Sequence, residues 1–148
     1  MAFRFPLQAV LRFRESFERR ERQRLQVITR EVIKARQEYA EAKQDRATAL
    51  DGLASDLGRG MTVVELRFEL DCDRARLRRV AGLAEHVVKL EELRVRQLGE
   101  FRKAQQHRKI LENLRDRQLT AYRVVQDRRT QQQLDERFLI LHGGQVSG

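Results

Sequence analysis

Apolar residues recur every three or four positions over most of this 148-residue chain, and the intervening positions are filled largely by Arg, Glu, Gln and Lys. That spacing predicts helices that each bury one narrow stripe. From Leu25 the stripe settles into heptads. Leu25, Val32, Tyr39, Arg46 and Leu53 share one seam position, and Ile28, Ala35, Ala42, Ala49 and Asp56 the other, which is coiled-coil spacing. A second run answers with Leu66, Leu70, Asp73, Leu77, Val80, Ala84 and Val87.

The two runs are separated by Asp56 to Glu65, where both periodic segments stop. Gly58 and Gly60 stand where glycine can close a helix C-terminus in the left-handed conformation. Thr62-Val63-Val64-Glu65 fits a capping box, with the Thr62 hydroxyl accepting from the backbone three residues on and Glu65 reaching back. The pattern therefore predicts an all-α fold, a long antiparallel two-helix coiled-coil hairpin forming a single domain over 1–148. Helix one is expected over about 6–57, the turn over 58–61, helix two over about 62–138 and a frayed tail over 143–148. Pro6 suits a first helical turn, where its missing N–H is not needed.

Facing residues in such a hairpin have numbers that sum to about 119. Leu53 then meets Leu66, Ala49 meets Leu70 and Ala42 meets Leu77. The same alignment sets Arg46 opposite Asp73, so two residues that interrupt the apolar seam become an ion pair. Its expected role is to specify register, because a buried pair adds little net stability. Elsewhere the phase is predicted to slip: Glu18 to Arg24 holds no apolar residue, and Leu90, Leu93, Leu98 and Phe101 wander before the repeat resumes at Leu111, Leu114, Gln118, Ala121, Tyr122 and Val125. At the usual rise the helices would be roughly 78 Å and roughly 115 Å long. The end of helix two should overhang, leaving Leu119, Tyr122, Val124 and Val125 as apolar surface for a partner or a second copy.

Composition narrows the classes. Charged residues make up 36%, aromatics 6%, and there is no Trp, which leaves little material for a globular core and favours long helices. The net charge of +9 invites a nucleic-acid reading. Yet 13 basic and 9 acidic residues fall in 1–60, 12 and 8 in 61–110, and 6 and 5 in 111–148. A phosphate-binding footprint would gather its basic residues on one stripe, so no nucleic acid is expected. Phe3, Phe5, Phe13 and Phe17 make the N-terminus apolar, either as a patch against helix two or as a membrane or partner contact. No run reaches the roughly 18 apolar residues of a membrane span, and Arg4 and Arg12 break up the start, which does not read as a secretory signal.

Catalytic chemistry finds no footing. The single cysteine, Cys72, has no partner for an intrachain disulfide. His86, His107 and His142 show no metal-ligand spacing, and Gly58-Arg59-Gly60 lacks the Lys-Ser/Thr of a phosphate loop. Carboxylate pairs such as Glu91-Glu92 have no concave interior to shift their pKa values. No enzyme activity, metal or cofactor is expected.

The opening Phe-Arg-Phe-Pro-Leu-Gln-Ala-Val-Leu-Arg-Phe-Arg-Glu, the Gly58-Arg59-Gly60 turn, and Leu114-Arg115-Asp116-Arg117-Gln118 followed by Gln133-Leu134-Asp135-Glu136 together resemble the FliJ family of flagellar type III export proteins over nearly the whole chain. The resemblance implies a cytoplasmic, non-catalytic component of flagellum biogenesis and motility, peripheral at the inner face of the cell membrane and similar in fold to the stalk of rotary ATPases. It implies three partners: the export ATPase hexamer, the cytoplasmic domain of the export gate, and substrate-escort chaperones. Arg115, Arg117, Gln118, Leu134 and Asp135 match the family motif and are implied on the ATPase side. Leu53, Leu57, Met61, Val64 and Phe68 would form the tip that faces the gate. Family members often carry aromatic residues flanking the turn, whereas here Phe68 is the nearest. The alternatives are a basic coiled coil that binds nucleic acid, a membrane-associated scaffold, and a structural homodimer.

Overall fold

The computed structural model describes residues 2–146, with the side chains of Gln145 and Val146 excepted. Two helices, α1 (Gln8–Arg59) and α2 (Val63–Val146), pack against each other as a hairpin, with no strand among the described residues.

The turn is shorter than the glycines suggested, and it lies later. Gly58 remains inside α1, and only Gly60 takes a positive φ, of 102°. The Gly60 N–H donates to the Leu57 carbonyl at 3.3 Å, closing the helix. One left-handed residue is enough to satisfy a C-terminus, so α1 runs to Arg59 and the turn shrinks to residues 60–62. The capping box is formed: the Glu65 N–H donates to Thr62 Oγ1 at 3.2 Å, and the Thr62 N–H donates to Glu65 Oε2 at 3.4 Å. At the other end Pro6 and Leu7 form a turn rather than helix, and the first helical residue is Gln8, whose N–H donates to the Phe5 carbonyl at 3.1 Å.

Helix α2 also outruns its expected end near 138, continuing to Val146 through Gly143 and Gly144. Phe138 and His142, one turn apart, stack with ring centroids 4.1 Å apart. Such an i,i+4 contact returns about 0.2–0.5 kcal/mol, a part of the cost of about 1 kcal/mol that each helical glycine carries. Of the expected frayed tail, Ser147 and Gly148 lie outside the described residues.

The expected phase slips do not occur. Along α1 the less exposed positions keep one heptad phase from Leu11 through Arg14, Glu18, Glu21, Leu25 and Ile28 to Leu53. Along α2 they continue through Leu90, Arg94, Gln97, Phe101, Ala104, Arg108 and Leu111. Polar side chains occupy the seam where apolar ones run out. The seam of α2 also begins one residue away from the leucines: Glu69 and Arg76 are half-buried, whereas Leu70 and Leu77 are exposed. From Leu66 a heptad can step by three or by four residues, and the helix takes the shorter step.

The chain forms two compact units. One comprises Arg19–Arg102. Its core is Val32, Ala35 and Leu90 with Ile28 and Val87 packed against them, large residues set against a small one in the seam. Glu21 is buried in this unit, where it takes hydrogen bonds from Arg24 Nη1 at 3.0 Å and Gln97 Nε2 at 2.5 Å. The other unit joins the residues up to Glu18 with those from Lys103 on. Here Leu11 is completely buried, Phe5 and Ala104 nearly so, and the Phe3 and Tyr122 rings lie 5.5 Å apart.

Candidate interaction surfaces

Within the unit 19–102, Arg46 and Asp73 are in direct contact. Arg46 Nε donates to Asp73 Oδ1 at 3.0 Å and Nη2 to Oδ2 at 3.2 Å, a two-pronged fork. That hydrogen bonding raises the Arg46 pKa further above its ordinary value. Two parallel N–H···O bonds hold the pair in a fixed plane, so a one-residue slide of either helix would separate them. Sequence reasoning did not single out the second device of this kind. Glu18, buried in the other unit, is bonded by Arg108, which also donates to Glu112 at 2.6 Å. The bond to Glu112, with that to Glu18, raises the Arg108 pKa. The apolar gap at Glu18 to Arg24 was the available signal, and a gap in the stripe was indistinguishable from a phase slip until the opposite helix was in place.

The turn end exposes apolar side chains. Val64 and Phe68, one turn apart on α2, are largely solvent-exposed, as is Val63, while Leu57 is about half-exposed. Leu53 and Met61 are half-buried. The five tip residues are therefore split, three presenting surface and two supporting it.

At the C-terminal end of α2 the motif residues separate in the same way. Arg117 and Asp135 stand eighteen residues apart, a whole number of turns at about 3.6 residues each, and so share one face. Gln131 Nε2 donates to Asp135 Oδ1 at 3.0 Å. Arg115 instead lines a shallow pocket of about 320 Å³ with Phe3, Arg4, Phe5 and Gln8, and Gln118 is half-buried at a seam position. Leu134 is exposed on a different face from Gln118.

The overhang is corrected in extent. Tyr122 has Phe3 as a ring partner and Leu119 is half-buried, so these two are not bare surface. Unbroken exposure sets in after Gln126 and holds from residue 127 to 144. It includes Leu134 and the run Phe138-Leu139-Ile140-Leu141, which the heptad reading passed over because consecutive apolar residues follow no single face.

Among the described residues no group of His, Cys, Asp or Glu is arranged to hold a metal ion. Arg14 Nη1 lies 3.2 Å from His107 Nδ1, and Cys72 is a half-buried free thiol. No helix among the described residues is long and apolar enough to cross a membrane.

Comparison with curated proteins and with solved structures finds no match. Comparison with protein families matches residues 3–147 to the family described as Flagellar FliJ protein. A match of that span takes in the N-terminal segment, the turn and the exposed end of α2 together, and the chain belongs to the FliJ family of flagellar export components.

Proposed function

We propose that this protein is a non-enzymatic, stalk-like component of the flagellar type III export apparatus. It binds the export ATPase ring, promotes ring assembly or activity, and couples the ring to the cytoplasmic domain of the export gate and to substrate-escort chaperones. It works in the cytoplasm, peripheral to the inner face of the cell membrane. The observation that carries the reading is the family match over 3–147 joined to the end of α2, where residues 127 to 144 are exposed on every side.

A single helix without an intrachain partner can enter a ring, because it is narrow and its polar groups are already satisfied along the backbone. Arg117 and Asp135, aligned on one face, offer charged contacts of both signs to ring subunits. Arg115 and Gln118 contribute at the junction with the N-terminal segment, and Leu134 adds an apolar contact. Leu57, Val64 and Phe68, supported by Leu53 and Met61, form the apolar surface that meets the gate.

The test is ATP hydrolysis by the cognate export ATPase with and without this protein, with hexamer content followed in parallel. Stimulation together with ring assembly is expected. Arg117→Glu should retain helicity, since Arg117 is exposed, and lose stimulation. An unchanged hydrolysis rate and hexamer content with folded protein would remove the stalk role, and wild-type stimulation by Arg117→Glu would remove that residue from the contact.

A further inference from the structure

Helix α2 carries a second apolar stripe that the hairpin does not cover. Leu70 is 44% exposed, Leu77 46%, Val88 56% and Val95 66%. Ala81 is exposed between them and Ala84 half-buried. In heptad geometry the stripe lies about 100° around α2 from the hairpin seam, so a further helix can lie along it without displacing α1. Two shallow depressions mark its ends, one of about 370 Å³ lined by Val63, Leu70 and Arg74 among others, the other of about 470 Å³ around Val88, Glu92 and Val95.

The order of residues along the stripe is what identifies its occupant. We propose that the stripe binds the same stripe of a second copy of this chain, antiparallel and two-fold symmetric, centred between Ala81 and Ala84. That alignment pairs Leu70 with Val95, Leu77 with Val88, and Ala81 with Ala84. Each pair joins the two alternating seam positions, as antiparallel coiled-coil packing requires, and the small pair at the centre lets the helices approach. Two-fold symmetry makes every pair occur twice, which is how an isologous interface forms.

Charge selects the same alignment. Arg74 falls opposite Glu91, with Glu92 beside it, and Arg78 falls opposite Glu85 of the other copy. Asp71 faces Glu92, the one like-charged step, but Asp71 already has Arg74 at 3.7 Å. Glu91 is held within its own chain by Arg36 and by Arg94 at 3.3 Å, so Arg74 joins an ordered carboxylate. A parallel copy would instead set Arg74 on Arg74 and Glu91 on Glu91, which is repulsive. The pairing needs no contact with the ATPase ring and stands apart from it.

Sedimentation equilibrium of the full chain over rising concentration tests the pairing. The expected result is a mass that approaches twice that of the monomer. Val88→Glu or Val95→Glu should return it to the monomer with unchanged helicity, because both side chains are more than half exposed in the single chain. Register is read in a Cys72→Ala background by mixing chains carrying Ala81→Cys with chains carrying Ala84→Cys. Oxidation should cross-link unlike chains in preference to like ones. A protein that stays monomeric into the millimolar range, a dimer indifferent to both glutamates, or preferential like-with-like cross-links would each overturn the proposal.

Discussion

Replacing Arg108 tests whether the polar seam acts through stability or through alignment. Glu18 is buried, its side chain 5% exposed, and Arg108, 21% exposed, is bonded to it. Arg108→Leu removes the cation and leaves a carboxylate in the seam of the unit that contains both helix ends. Breaking a buried pair from one side costs about 3–5 kcal/mol. The lower end, about 3 kcal/mol, is expected here, because Arg108 is partly solvated and Glu18 keeps a further interaction. The double replacement Glu18→Leu/Arg108→Leu removes both charges and fills the seam with the residue type coiled coils favour. It should recover the whole loss and, by the same reasoning, gain up to about 1 kcal/mol. Urea unfolding followed by far-UV circular dichroism measures the parent, Arg108→Leu and the double variant. The single variant should show a lower midpoint, and the double variant a midpoint at or above the parent. A double variant less stable than the parent would refute the reasoning, since the pair would then be supplying net stability rather than specifying which residues face each other.

Glycine substitutions on either side of Arg59 should have opposite signs. Gly58 is helical with open space around its Cβ position, so Gly58→Ala should stabilise by about 0.5–1 kcal/mol, whereas Gly60→Ala should cost about 1–2 kcal/mol through its positive φ alone. Paired thermal melts check both, and a stabilising Gly60→Ala would show that the turn does not need its left-handed residue. Leu11→Ala should cost about 3 kcal/mol, because Leu11 is completely buried. Leu77→Ala should cost under about 1 kcal/mol in the monomer, its side chain being nearly half exposed. Equal losses measured at low protein concentration would contradict the seam phase assigned to α2.

The helices themselves were legible in the sequence because helix formation and its ends are local. A three-to-four-residue apolar period, a Thr-x-x-Glu cap and a glycine at a helix end each act within a few residues, and the cap and the glycine are both found at the observed turn. The Arg46 and Asp73 contact was legible for a related reason. Once the turn fixes an antiparallel pairing, the hairpin alignment follows by counting outward from it, and two opposite charges falling on facing seam positions mark their own partner.

What the opposite helix supplies could not be read from one strand of sequence. Glu18, Glu21, Gln97 and Arg108 look like solvated polar residues in isolation, and only a facing partner makes a buried carboxylate tolerable. Their presence in the seam is therefore a property of the pairing. Leu70 and Leu77 show the converse: hydrophobicity placed them in the seam, but the rotation of α2 against α1 set Glu69 and Arg76 closer to it and left the leucines facing outward. Likewise the apolar N-terminal segment decided how far α2 stays covered, because the ring contact between Phe3 and Tyr122 joins residues more than a hundred positions apart. Local periodicity determines that a helix forms and roughly which side is apolar; which polar groups may be buried, and where cover ends, depends on what the second helix brings to the same level.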